Sequence, residues 1–182
     1  MSKHPLEEKW NTTASDILSA IERGFRCQVD VKGKLAELYL FRKFQELEAG
    51  GAIMTLAWQD KDGQPDFLLT FRGRELKVEC KNLRSPREMK KPVHPRVELQ
   101  KTRNSKNPEE PTRGYKVNEF DVLGACLFNH VGDWQYLFIA TRHLAIRPNP
   151  MHRFLQVMQP VPLQPEGFWR YDPLDAFKDT IK

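Results

Sequence analysis

The chain has 182 residues, a net charge of +5, 29% charged residues and 40% hydrophobic residues. This length suits one compact domain, and the composition excludes an intrinsically disordered chain. The longest mostly apolar stretch, residues 122–128, is far shorter than the roughly 20 residues of a transmembrane helix.

The first ten residues are polar and lack the apolar region of a secretory signal. The three cysteines are too scattered for a disulfide framework or a CxxC metal site. Neither a phosphate-binding P-loop motif nor a dinucleotide-binding glycine motif occurs. We therefore expect a cytoplasmic protein that works in a reducing compartment, without a membrane partner or a nucleotide cofactor.

Two helices are predicted in the N-terminal part of the chain. Residues 13–23 place apolar side chains at helical spacing before Gly24, and residues 33–49 form a stronger helix that stops at two glycines. We expect residues 1–30 to form a helical extension of a single domain that spans residues 1–182.

Three strands are predicted next. Residues 53–58 are apolar and β-prone, and the turn-forming residues 60–65 separate them from two further strands at 67–71 and 75–81. A short helix is then predicted for residues 96–105.

Strands at 120–128 and 134–140 follow, and a last short helix is predicted for residues 174–181. Prolines recur from position 147 onwards, so residues 147–182 are expected to form a proline-rich C-terminal extension. This order of elements predicts an α/β fold, with a mixed central sheet flanked by helices.

The two strands on either side of Arg72 and Gly73 bring acidic residues together. If these two residues form a two-residue hairpin loop, the numbers of paired residues sum to 145, and Asp66 lies opposite Glu79 on one face. A three-residue loop would shift this register. On the same face Lys81 follows Glu79 two residues later, because side chains alternate along a strand.

Two carboxylates beside an amine suit phosphodiester chemistry. Asp66 and Glu79 offer the hard oxygen ligands that Mg²⁺ prefers, and Lys81 is suited to orient an attacking water. The alternative is an exposed strand face with an ordinary Glu–Lys pair. Cys80 points to the opposite, apolar face and is expected to be a small core residue.

A further carboxylate lies on the predicted helix 33–49. Glu37 shares an apolar stripe with Leu40, Phe41 and Phe44. A carboxylate on the buried side of a helix needs a partner, which a metal or Lys81 would supply. The alternative is that Glu37 lies at the edge of the stripe and reaches solvent.

The positive charge is concentrated in one segment. From Lys81 to Lys116, eleven Lys or Arg residues stand against four Glu residues and give a charge of +7, whereas the rest of the chain carries −2. This distribution is consistent with a polyanionic partner or with a solvated basic loop. The phosphate-binding candidates in this segment are Lys101, Arg103, Arg113 and Lys116.

Together these residues resemble the PD-(D/E)xK nuclease superfamily, which has a restriction-endonuclease-like αβββαβ core. The matching motifs, within residues 33–140, are Gly33-Lys-Leu-Ala-Glu37, Gln64-Pro-Asp66 and Val78-Glu-Cys-Lys81. The resemblance implies that Asp66, Glu79 and Lys81 are catalytic and that Glu37 is an auxiliary acid.

Two more positions follow from the resemblance. In this superfamily the backbone carbonyl at the position of Cys80 often binds the metal, so Cys80 joins Asp66, Glu79 and Glu37 as a predicted metal ligand. Gln100 matches a glutamine on the helix after the ExK motif in some branches. A tyrosine of one such branch would fall at Asn104 and is absent.

The function implied by the resemblance is a Mg²⁺-dependent DNA endonuclease of the restriction or phage-defence type. Mn²⁺ is expected to substitute for Mg²⁺, and a homodimer is expected because duplex cleavage needs two active sites. The alternatives are a structure-specific nuclease such as a junction resolvase or repair enzyme, a DNA-binding module with a silent site, and an acid-lined interaction domain.

Overall fold

The computed structural model describes residues 3–61, 63–86, 94–101, 113–148, 151 and 153–181. The chain divides into two compact units, Met1–Leu35 and Ala36–Lys182. The first unit holds helices α1 (Pro5–Trp10) and α2 (Ala14–Arg23), neither of which has a buried residue, and the first residues of α3 (Phe25–Ala49).

Local capping explains where the helices begin and end. The hydroxyl of Thr13 accepts a hydrogen bond from Asp16 N at 3.1 Å, and α2 ends before Gly24, so the predicted helix at 13–23 is confirmed. The next helix ends at Ala49 as predicted, but it begins eight residues before Gly33. Residues 25–32 contain neither proline nor glycine, and Gly33 is tolerated inside the helix.

The second unit is built on a five-stranded sheet. Its strands are β1 (Met54–Trp58), β2 (Phe67–Phe71), β3 (Arg74–Asn82), β5 (Val122–Cys126) and β6 (Tyr136–Ala140), and they lie side by side in this order. Strands β3 and β5 are parallel, and the other neighbouring pairs are antiparallel. The mixed sheet with flanking helices is therefore confirmed.

The helix predicted for residues 96–105 is wrong over its described part. Residues Arg96–Glu98 form strand β4, which pairs with β7 (Met158–Pro160) in a second sheet. Val97 and Leu99 are both fully buried, which is the two-residue period of a strand. Within the described connection between β3 and β5, a strand thus replaces the helix of the expected αβββαβ order.

The tight turn between β2 and β3 fixes the register of the site. Arg72 and Gly73 have φ values of 51° and 77°, as in the two-residue turns that favour hairpins. Phe67 pairs with Val78, so the pairing sum of 145 is confirmed. Extended by one residue, this register places Asp66 opposite Glu79.

Both faces of the sheet are covered. On one face α3 and α5 (Pro173–Ile181) pack on the strands, and Leu40 packs closely over Gly124, where a Cβ would lie 3.1 Å from Leu40 Cδ2. The other face, which includes Glu79, carries a second apolar cluster with Val97 and Leu99. The short helix α4 (Phe128–Val131) joins β5 to β6.

The C-terminal segment forms part of the second unit. The backbone of Arg170 exchanges two hydrogen bonds with Phe138 on the edge strand β6, at 2.8 and 2.9 Å. Phe177 of α5 is fully buried in the first apolar cluster. Among the helices of the described residues, none has the length and apolar character needed to cross a membrane.

Candidate active site

Asp66 directly precedes β2, and its carboxylate is directed towards β3. Its Oδ2 accepts a hydrogen bond from Cys80 N at 2.7 Å. Burial raises the pKa of Asp66 to about 7, and the neighbouring Glu79 and Glu37 add to this effect, while Lys81 opposes it. Asp66 is therefore held close to three of the predicted site residues in an environment that is short of positive charge.

Glu79 is buried, which decides against the ordinary exposed Glu–Lys pair. Its residue is only 3% exposed because the second apolar cluster covers this face of the sheet. Its Oε1 accepts hydrogen bonds from Tyr115 Oη at 2.5 Å and from Lys81 Nζ at 2.6 Å. Buried carboxylates require such donors, and two of them converge here on one oxygen.

The ammonium group of Lys81 connects this carboxylate with solvent. Its side chain is 26% exposed, whereas that of Glu79 is 3% exposed. Burial alone would lower the pKa of Lys81, but Glu79, Tyr115 and Asp66 hold it well above its usual range. Lys81 is therefore held as a cation beside Glu79, with part of its side chain exposed to solvent.

Glu37 is half-buried on α3 and has an indole as one partner. Trp58 Nε1 donates a hydrogen bond to Glu37 Oε2 at 3.0 Å. Trp58 reaches this position because β1 pairs with β2, with Trp58 opposite Phe67. The sequence pattern predicts a metal or Lys81 as the partner of Glu37, and it does not indicate an indole donor from β1.

The four predicted metal ligands do not form one side-chain cluster. Across the described ranges, no group of three or more His, Cys, Asp or Glu side chains is arranged to hold a metal ion. The Cys80 side chain is buried in the first apolar cluster, as expected, and burial raises the pKa of its thiol well above the usual range. The hard donors that remain are the carboxylates of Asp66 and Glu79 and the backbone carbonyl of Cys80.

This reduced donor set fits Mg²⁺. The ion commonly binds to one or two carboxylates, keeps several waters and takes further ligands from substrate phosphate. When ionised, Asp66 and Glu79 carry two negative charges beside the one positive charge of Lys81, so a divalent cation would add charge of the sign that these carboxylates favour.

Gln100 does not lie on the helix that the resemblance implied. It follows strand β4 in an extended segment, and its backbone forms an isolated antiparallel β-bridge with Gly114. In a helix, buried positions would recur about every 3.6 residues. Around Leu99 they recur every second residue, which is the pattern of a strand. The expected position of Gln100 on a helix is therefore wrong, because the segment is extended.

The predicted phosphate-binding residues differ in their surroundings. Lys101 forms an ion pair of 2.6 Å with Glu119, while the exposed Arg113 donates from Nε to Lys101 O at 2.5 Å. Arg103 lies outside the described residues. The backbone of Lys116 forms an isolated antiparallel β-bridge with that of Phe154, and its side chain belongs to a larger group of cations.

We call this group the cation cluster: Lys116, Arg147 and Arg153. Their charged groups lie 6.0, 5.5 and 5.4 Å from the centre of the buried Phe154 ring. The three cations come from neighbouring extended segments, and Lys116 directly follows Tyr115 in the sequence. Sequence reasoning missed Arg147 and Arg153 because they lie 31 or more positions beyond Lys116.

A bacterial homing endonuclease of known structure, I-Ssp6803I, is similar to this chain. The two share 19% sequence identity with a TM-score of 0.42, over 62% of this chain and 68% of the endonuclease chain. A likeness at this level establishes neither the fold family nor the activity of this chain. No protein-family model matches the sequence, and a search of curated proteins finds no match.

Proposed function

We propose that the chain is a Mg²⁺-dependent endonuclease of the PD-(D/E)xK type that hydrolyses phosphodiester bonds in DNA. The observation that carries this proposal is the buried Glu79, whose carboxylate accepts from the ammonium of Lys81 and whose charge raises the pKa of the half-buried Asp66 one residue beyond the last β2–β3 pair. Two partly desolvated carboxylates that interact in this way are costly, and a divalent cation would compensate for that cost.

In this proposal Asp66 and Glu79 hold the cation, assisted by the carbonyl of Cys80, while Glu37 remains an auxiliary acid. A bound Mg²⁺ supplies charge neutralisation at the phosphate and lowers the pKa of water. Lys81 orients the attacking water through Nζ and offsets negative charge on the phosphate.

The overall hydrolysis is balanced without a further reactant. A water oxygen forms a new bond to phosphorus, and the bond from phosphorus to the 3′ oxygen breaks. One water proton ends on that leaving oxygen by way of solvent. The products carry a 5′-phosphate and a 3′-hydroxyl.

The substrate class is supported by the basic residues near the site. Lys116 of the cation cluster follows Tyr115 directly in the sequence, Leu155 N beside the cluster donates to Tyr115 O at 2.9 Å, and Tyr115 Oη donates to Glu79. Cations grouped on extended segments suit the regular phosphates of a nucleic acid backbone. We propose DNA as the substrate, a homodimer for duplex cleavage, and a restriction or phage-defence role.

Cleavage of a supercoiled plasmid tests the proposal. In Mg²⁺ we expect Asp66→Asn, Glu79→Gln and Lys81→Met each to slow cleavage by at least about 100-fold. Glu75→Gln and Lys77→Met are matched controls, since these residues lie on the same face of β3 outside the site, and they should cleave at the wild-type rate.

Further substrates separate the related possibilities. Preference for a four-way junction over linear duplex would replace the restriction role with that of a resolvase. A wild-type protein that binds DNA in Mg²⁺ but leaves every substrate intact would show a silent binding module, and failure to bind DNA at low salt would favour an interaction domain. Either of the last two results would refute the nuclease assignment.

A further inference from the structure

The hydroxyl group of Tyr115 contacts the site, although Tyr115 lies in the segment between β4 and β5. Its residue is 9% exposed, and its Oη donates to Glu79 Oε1 at 2.5 Å. Burial, together with the charge of Glu79, raises the pKa of Tyr115, so its hydroxyl keeps its proton as a donor.

The ring of Tyr115 is held from several directions. Phe120 packs against it edge-on, with 5.5 Å between ring centres. The ammonium groups of Lys81 and Lys101 lie 5.6 and 5.4 Å from the ring centre. Lys101 is itself paired with Glu119. The contacts with Phe120 and Lys101 therefore hold the ring so that its hydroxyl points to Glu79.

The two donors to Glu79 differ in their freedom to move. Lys81 has a long flexible side chain that is partly exposed, whereas Tyr115 is rigid and buried. Both donate to the same oxygen, Oε1. If Lys81 turns to the attacking water or the phosphate, Glu79 therefore loses one donor and retains the other.

We propose that Tyr115 is a positioning residue, whose hydroxyl keeps the Glu79 carboxylate oriented for the cation while Lys81 serves the substrate. This inference rests on the proposed function. Groups that orient a metal ligand typically change metal affinity by about 10- to 100-fold when they are removed.

Calorimetric titration of Mn²⁺ into the full chain without DNA provides a readout that is independent of activity. We expect Tyr115→Phe to raise the dissociation constant for Mn²⁺ about tenfold. Tyr136→Phe is the matched control, because the Tyr136 hydroxyl is also buried but donates to the backbone Ala36 O at 2.7 Å and not to a carboxylate of the site. This control should bind Mn²⁺ like the wild type.

A second variant removes the other donor. Lys81→Met should bind Mn²⁺ at least as tightly as the wild type, because Tyr115 still holds Glu79 and one positive charge is gone. In this background Tyr115→Phe should weaken Mn²⁺ binding by a larger factor than in the wild type, because Glu79 then has neither donor.

The outcomes separate the inference from the function on which it rests. A wild type that binds no Mn²⁺ and cleaves no DNA would overturn the proposed function. If the wild type binds Mn²⁺ and cleaves DNA, equal dissociation constants for Tyr115→Phe and Tyr136→Phe would overturn the role of Tyr115 alone. Equal effects of Tyr115→Phe in both backgrounds would also overturn it.

Discussion

Replacing Asp66 with Asn should stabilise the metal-free protein while it abolishes cleavage. The pKa of Asp66 is raised from 3.8 to about 7 by burial, Glu79 and Glu37. A shift of about three units corresponds to an upper limit of about 4 kcal/mol at about 1.4 kcal/mol per unit. Because solvent reaches this half-buried carboxylate, we expect Asn to raise the free energy of unfolding by about 1–2 kcal/mol at pH 8.

The sign of the pH dependence follows from linkage. The folded state binds the Asp66 proton more tightly than the unfolded state, so this residue makes the protein less stable as the pH rises from about 4 to about 7. The gain from Asp66→Asn should therefore be largest at pH 8 and should vanish near pH 4. Saturating Mg²⁺ should stabilise the wild type more than the variant.

Urea unfolding in EDTA, measured across this pH range, checks the prediction. Glu75→Gln removes an exposed carboxylate from the neighbouring strand, and it should change the free energy of unfolding by less than about 0.5 kcal/mol at each pH. A lower free energy of unfolding for Asp66→Asn at pH 8 would refute the argument that burial and neighbouring carboxylates raise the pKa of Asp66. An increase of equal size at pH 4 and pH 8 would also refute it.

Other substitutions test the packing, the turn and the basic surface. Gly124→Ala should lower the free energy of unfolding by about 1–3 kcal/mol in urea, since the new methyl group would lie 3.1 Å from Leu40 Cδ2 and 3.2 Å from Phe138 Cε1, both in fully buried side chains; an unchanged value would contradict the packing. Arg72→Asn should raise the thermal midpoint slightly, because Asn tolerates the positive φ of the turn better, and a lower midpoint would count against this turn. Arg147→Gln and Arg153→Gln should each reduce the salt slope of DNA binding by about one, measured by fluorescence polarisation in EDTA, whereas the exposed Arg142→Gln should leave it unchanged. Equal slopes for all three arginine variants would show that DNA does not contact the cation cluster.

The local part of the site could be predicted because strand alternation and the turn determine it. The pairing of β2 with β3 needs only the identity of two turn residues, Arg72 and Gly73. From that register the positions of Asp66 and Glu79 follow without any knowledge of the rest of the chain. The orientation of Cys80 follows in the same way, since it faces the core.

The parts that failed depend on contacts between distant segments. Tyr115 contacts Glu79 across 36 positions, and no local pattern indicates such a hydrogen bond. Residues 96–98 contain too few side chains to distinguish a strand from a helix, and only pairing with β7 decides between them. The burial of Glu79 has the same origin, because the layer that covers it comes from later in the chain.

Anomalous diffraction from crystals soaked in Mn²⁺ would test most directly whether a divalent cation binds between the two opposed carboxylates. The account predicts a peak within about 2.3 Å of oxygens from both Asp66 and Glu79, with Tyr115 still donating to Glu79. A peak at other residues only, or none at all with Lys81 still paired to Glu79, would contradict it.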